Sequence, residues 1–215
     1  KVTALEADER HGFSESKQQP AWEAEMMDPE SKLILSHQQG RRDEELIRRL
    51  YQDTVKRVAA PQDLVLFTDG EHSYASLFPE YFGVPYQPAR QGSQGRMPSI
   101  RFRIPRSLAH VQVFKHRAGK RLVQVEIRYT HGSQKRARLA LEVLGYETPN
   151  TSAIERRNGT ARRMDIYQVR KSLAFSRRPD VKESLGWWGV TVYNWCRKHR
   201  SLRLPLSAPQ GKKST

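Results

Sequence analysis

Hydrophobic and polar positions switch between strand-like and helix-like spacing along the first part of the chain, and turn or cap residues punctuate the switches. Residues 2–9 read as a strand that ends in a charged cluster. Residues 21–27 and 32–36 read as two more strands, joined by the turn Asp28-Pro29-Glu30-Ser31. Gly40 follows, and Asp43 stands where it can cap a helix over residues 44–57. Ile47, Leu50, Tyr51, Thr54 and Val58 recur there at helical spacing. Glu44/Arg48 and Glu45/Arg49 form i,i+4 pairs on the solvated side. Pro61 ends the helix. Leu64-Val65-Leu66-Phe67 is a short apolar run of the kind buried at a sheet centre, and it leads into Thr68-Asp69-Gly70. A helix over residues 73–82 comes next, closed by Gly83. Three strands, a helix, a strand and a helix in this order predict an α/β fold.

The second part has a different character. Residues 87–107 are rich in Gln, Gly, Pro, Ser and Arg and read as a mobile basic connection. Residues 110–116 and 122–129 alternate about the turn Arg117-Ala118-Gly119-Lys120, which predicts a basic β-hairpin. A long helix is expected from near Ser152 to beyond Val169. Residues 184–199 suit a strand through Val190-Thr191-Val192, or a helix by their length.

Charge sharpens this division. The chain has 215 residues and a formal net charge of +15. Residues 1–86 hold 10 Lys and Arg against 16 Asp and Glu, whereas residues 87–215 hold 28 against 7. A carboxylate-bearing first part joined to a strongly cationic second part suggests chemistry on a polyanion, with nucleic acid as the expected partner. No apolar run approaches the ~20 residues of a membrane span, and nothing near Lys1 resembles a signal peptide. The lone Cys196 excludes a disulfide framework or zinc ribbon within these residues, so a reducing, cytoplasmic setting is expected.

Asp8 ends the first expected strand and Asp69 the expected central one. Polar groups at the carboxyl ends of parallel strands converge on one rim, so the two acids are expected to be neighbours. Glu155 lies in the first turn of the Arg-rich helix. Three carboxylates at one rim repel one another unless cations neutralise them, and hard oxygen ligands suit Mg2+ or Mn2+. Two such ions can serve phosphoryl transfer. Each acid also has a structural reading. Asp69-Gly70 is an ordinary turn signal, Glu155 completes a capping box with Ser152, and Glu6, Asp8 and Glu9 are all compatible with a solvated strand end.

Several blocks resemble the short bacterial transposases of the insertion-sequence-one kind. LEADERHGF (residues 5–13) is similar to that family's first strand with its Asp-Glu pair, and FTDGEHSY (67–74) follows after a further match over residues 33–42. The most specific block is NTSAIERRNGTARR (150–163), followed by RKSLAFSRR (170–178) and YNWCRKHRSLR (193–203). The blocks occur in family order and cover most of residues 1–205. The resemblance implies a ribonuclease H-like mixed sheet flanked by helices, with a basic β-rich insertion between the second and third catalytic acids. It implies an Asp-Asp-Glu triad on Asp8, Asp69 and Glu155, with Asn158 as the Asn that follows the Glu. Family members carry an aromatic soon after the Asp-Glu pair, where this chain has Arg10 and His11. The expected division is 1–86 and 150–205 as the two parts of the core, 87–149 as connection and hairpin, and 206–215 as a polar tail.

Arg156, Arg163 and Arg170 are seven residues apart and fall on nearly one line of a helix, with Arg157 and Arg162 beside them. Arginines so close to a catalytic carboxylate are suited to clamping phosphates, and Asn158 is expected to join them in contacting nucleic acid. Lys171, Arg177, Arg178, Lys198, His199 and Arg200 extend the cationic surface, and Trp187, Trp188 and Trp195 are of a type that stacks on bases. His11, His72 and His199 match no metal-ligand spacing. The expected activity is cleavage at transposon ends and their joining to target DNA by a homo-oligomer. The rivals are a ribonuclease H-like nuclease or resolvase that does not join, and an inactive DNA-binding protein.

Overall fold

The computed structural model describes residues 2–90, 96–169 and 174–202. Among these, eight strands and five α-helices follow the chain. The strands are β1 (Ala4–Arg10), β2 (Trp22–Met27), β3 (Ile34–Gly40), β4 (Val65–Thr68), β5 (Val84–Tyr86), β6 (Arg101–Arg103), β7 (Ala109–Ala118) and β8 (Arg121–Gly132). The helices are α1 (Glu44–Arg57), α2 (His72–Phe82), α3 (Gln134–Leu144), α4 (Ser152–Met164) and α5 (Pro179–Thr191). Six strands form one sheet in the order β3-β2-β1-β4-β7-β8. β1, β4 and β7 run parallel, and β2, β3 and β8 pair antiparallel with their neighbours.

Helices cover both faces, so the central strands have no solvated side. Leu5 and Leu66 point into the layer of α1 and α2, where Leu46, Leu50, Tyr51, Phe78 and Phe82 pack. Ala4, Val65 and Phe67 point the other way, onto Ala137, Ala140 and Leu141 of α3. On that second face, Met27 and Ile34 meet Ala153 and Ile154 of α4 with Val190 of α5. This explains the unbroken apolar run of β4. The chain is thus mixed α/β, with a six-stranded mixed sheet flanked by helices, and this is compatible with the expected ribonuclease H-like fold. No described helix is long and apolar enough to cross a membrane.

Asp43 caps α1 by accepting a hydrogen bond from the Leu46 amide, and α1 has the expected bounds. Four segments depart from expectation. Residues 101–103 form a short strand with β5, inside the segment read as a connection. The hairpin is not set apart from the sheet. β7 lies parallel to β4 through Ala109–Gln112 and supplies buried Val111 and Val113. Helix α3 carries no clear sequence signal, because its Leu139 and Val143 are exposed and blur its apolar stripe. The long helix stops at Met164. There Asp165 turns extended and its carboxylate accepts the Tyr167 amide, so a short 3-10 turn at Ile166–Gln168 replaces further α-helix. The last ambiguous segment is helical: α5 passes into a π-helical turn at Val192–Cys196.

Candidate active site

Asp8 and Asp69 meet because β1 and β4 are adjacent and parallel, with Ala7 opposite Thr68 at their carboxyl ends. Both acids line a cleft of about 440 Å³ together with Arg42, Gly70, Glu71, Lys115, Arg117, Thr151 and Glu155. Gly70 lets the Phe114 ring of β7 approach closely, since a Cβ there would force that ring to shift. Oxygens of Asp8, Glu9 and Asp69 all lie within 4.8 Å of one another. Glu155 reaches the same cleft from α4, but it turns to Lys115 and accepts a 2.9 Å bond from the Thr151 hydroxyl. The three acids of the expected triad therefore share one cleft. Among the described residues, however, the carboxylates close enough to share one cation are Asp8, Glu9 and Asp69, with Glu9 in place of Glu155.

Glu6, the remaining acid of β1, explains how α4 is held. Thr151 is the N-cap of α4 but makes no side-chain cap bond. Instead the buried Glu6 carboxylate accepts the Ile154 amide at 2.9 Å and the Tyr146 hydroxyl at 3.2 Å. A strand carboxylate thus satisfies one orphan amide of the helix and pins its first turn over the sheet. The capping box expected for Ser152 and Glu155 does not form, because Ser152 is already the first helical residue.

Burial and repulsion raise these acids. Asp8 is pushed up to about 6 by burial and then by the Asp69 charge, and Glu9 to about 8 by the same two causes. Asp69 is raised by burial, and Glu155 adds repulsion at both aspartates. Glu6 reaches about 7 through burial. A folded-state pKa above the unfolded one means the folded protein binds more protons between the two values, so stability falls as pH rises through that window. His110 works in the opposite direction, since burial lowers it to about 3, but its window lies below the ordinary 6.5. We therefore expect the metal-free protein to melt higher at about pH 6.5 than at about pH 8.5. Added Mg2+ or Mn2+ should narrow that gap, which thermal melts at the two pH values with and without metal will measure.

Asp8 is oriented from below. Its Oδ2 accepts the Asn158 amide at 2.7 Å, across 150 residues of sequence. Asn158 in turn accepts from Arg10 at 2.9 Å, which leaves its NH2 to face Asp8. Arg10 is fully buried and held by Glu23 at 2.6 Å and Glu25 at 2.8 Å. Glu25 also accepts from Arg157 at 3.0 Å, with His37 Nδ1 3.2 Å away, and Lys182 pairs with Glu23. Burial alone would raise both glutamates, but Arg10 first, then Arg157 for Glu25 and Lys182 for Glu23, outweighs it and holds both well below the ordinary range.

These contacts correct two of the expected nucleic-acid contacts. Arg157 is 2% exposed and Asn158 3%. Arg157 belongs to the buried ion network and lies over the Tyr193 ring, and Asn158 positions Asp8. The line of arginines does not continue as helix past Met164, and Arg170 and Lys171 lie outside the described residues. Arg156 and Arg163 are exposed on α4, and Arg162 is half-buried. Arg156 lines a trough of about 460 Å³ with Lys32, Arg197, Lys198, His199 and Arg200, and no described lining residue is acidic. The first turn of α4 divides this trough from the cleft, because Thr151 and Glu155 face one and Ser152 and Arg156 the other. Arg177 and Arg178 are exposed and line neither, and Arg178 pairs with Asp180. Trp188 and Trp195 are exposed, whereas Trp187 packs edge-on against His37.

Sequence reasoning missed Glu9, Arg42 and Lys115. Glu9 was legible only as the neighbour of Asp8. Arg42 reaches Glu9 at 3.4 Å and Glu71 at 3.3 Å from beyond β3, and no spacing in the chain announces that. Neither a scan against protein-family models nor a search of the curated proteins finds a match to this chain.

Proposed function

We propose that the chain is a metal-dependent DNA-cleaving and DNA-joining enzyme, a transposase with an Asp-Asp-Glu triad on a ribonuclease H-like core. The observation that carries the reading is the convergence of Asp8, Asp69 and Glu155 on one cleft at the carboxyl ends of parallel strands. Crowded carboxylates whose affinity for protons is raised by burial and mutual repulsion are the donor set that hard divalent cations satisfy. Bound among them, one or two Mg2+ or Mn2+ ions supply the Lewis acidity that in-line phosphoryl transfer needs.

The chain's own residues do the rest. Asp8 and Asp69 present charged oxygens from a rigid sheet. Asn158 and Arg10 hold Asp8 in one orientation. Lys115 and Arg42 stand on the cleft wall, placed to meet phosphate oxygens. The trough beside α4 offers Arg156, Lys198, His199 and Arg200 to the DNA backbone. Water would attack the phosphorus at a transposon end and release a 3′-hydroxyl. That hydroxyl would then attack a target phosphodiester at the same cleft, forming the new bond as the target strand's own 3′-oxygen leaves as a hydroxyl. Neither displacement requires a covalent bond to the protein. A synaptic homo-oligomer on two DNA ends belongs to this reading.

The test is strand transfer from pre-cleaved ends in Mg2+, with chelator controls and with Glu155→Gln. Gln keeps the Thr151 hydroxyl bond and loses only a half-exposed ion pair to Lys115, worth about 0–1 kcal/mol. We expect unchanged metal-free melting with activity lowered about 100-fold or more. Cleavage without joining by the parent protein would favour the nuclease. A variant as active as the parent would remove Glu155 from the triad.

A further inference from the structure

The paired part of β7 with β4 ends at Gln112, yet β7 continues to Ala118 with β8 beside it. Residues 113–126 therefore form a two-stranded ribbon that outruns the sheet, closed by Gly119 in the left-handed conformation at φ 60°. Lys115, Arg117, Lys120, Arg121 and Arg128 lie on this ribbon and its base. Among its described residues Glu126 is the acid, and it is already engaged by Arg128 at 2.6 Å and His116 at 3.1 Å. Leu122, Val123 and Val125 are exposed on β8, with Val123 at 65%. Lys115 and Arg117 line the cleft that holds Asp8 and Asp69.

We propose that this ribbon is a docking surface for duplex DNA next to the phosphodiester held in the cleft. This inference rests on the reading of the cleft given above and deepens it. The occupant follows from charge and shape. A surplus of cations with its one carboxylate neutralised complements a polyanion, and a two-stranded antiparallel ribbon is an element the major groove admits. The exposed valines and leucine suit the apolar edges of sugars and thymine methyls, which would otherwise meet water. Because Lys115 and Arg117 belong to ribbon and cleft alike, DNA gripped by the ribbon runs directly to the carboxylates.

The experiment measures affinity of the full chain for a short duplex across a salt series, for the parent and for Lys120→Ala/Arg121→Ala. Both substituted residues are exposed at the tip, and a melt confirms that folding is kept. We expect binding weakened about tenfold near 0.1 M salt and a log-log slope shallower by about 1.8, at about 0.9 per lost phosphate contact. An unchanged affinity and slope would overturn the proposal. Val123→Asp is the second arm. If it changes the oligomeric state of the DNA-free protein and leaves DNA affinity intact, the ribbon is a protein interface and the proposal falls. If the ribbon variants lose DNA but the parent never cleaves in Mg2+, the docking surface stands and the catalytic reading fails instead.

Discussion

Asp69→Asn is expected to abolish metal-dependent cleavage and joining while leaving the fold and DNA binding in place. The Asp69 side chain accepts one hydrogen bond, from the Glu71 amide at 3.0 Å, and the amide oxygen of Asn can accept it equally. What is lost is the negative charge beside Asp8 and Glu9. Without metal that charge is unfavourable, because burial first, and then Glu71 and Glu155, raise the Asp69 pKa. The metal-free variant should therefore melt at or above the parent temperature. With metal present the outcome reverses, since a neutral amide is a poor ligand for a hard cation and activity should fall by about 1,000-fold or more. Paired melts and cleavage assays in Mg2+ will check both halves. Cleavage near the parent rate would dismiss the cleft as a metal centre.

The second large effect lies beneath the cleft. Glu25→Ala removes the carboxylate shared by Arg10, Arg157 and His37 and leaves two buried guanidinium groups short of a counter-charge. Breaking a buried pair from one side costs about 3–5 kcal/mol, a large share of the stability of an ordinary domain. A fall in melting temperature of about 6–20 °C is expected, at about 2–4 °C per kcal/mol for a chain of this size. Glu25→Gln, which keeps the shape and a hydrogen-bond acceptor, should fall in between. The same change loosens Arg10, which fixes Asn158 and through it Asp8, so cleavage by the surviving folded fraction should weaken as well. Calorimetric or circular-dichroism melts settle the first point. A variant that melts within about 2 °C of the parent would mean that water, not Glu25, balances these arginines.

Local pattern was enough for much of the frame. Asp43 and the spacing of Ile47, Leu50 and Tyr51 specify α1, and the unbroken run before Asp69 specifies a strand covered on both faces. Two acids at the carboxyl ends of two such strands were legible for the same reason, since strand ends and turn residues are local signals. The tertiary structure decided which charges are surface and which are interior. Glu6, Arg10, Glu23, Glu25 and Arg157 look like solvated residues in the sequence, yet all are buried. A charge can be buried only when its partner arrives, and the partners here come from β1, β2, α4 and α5, far apart in the chain. The role of Glu6 as the cap of α4 arises in the same way, because the helix end and the strand meet only when the sheet is assembled. The sequence by itself determined the order of strands and helices up to α2 and the polarity of their ends, but not β6, α3 or the end of α4. Only the packing of distant elements decided which carboxylates hold the fold and which are left facing the cleft.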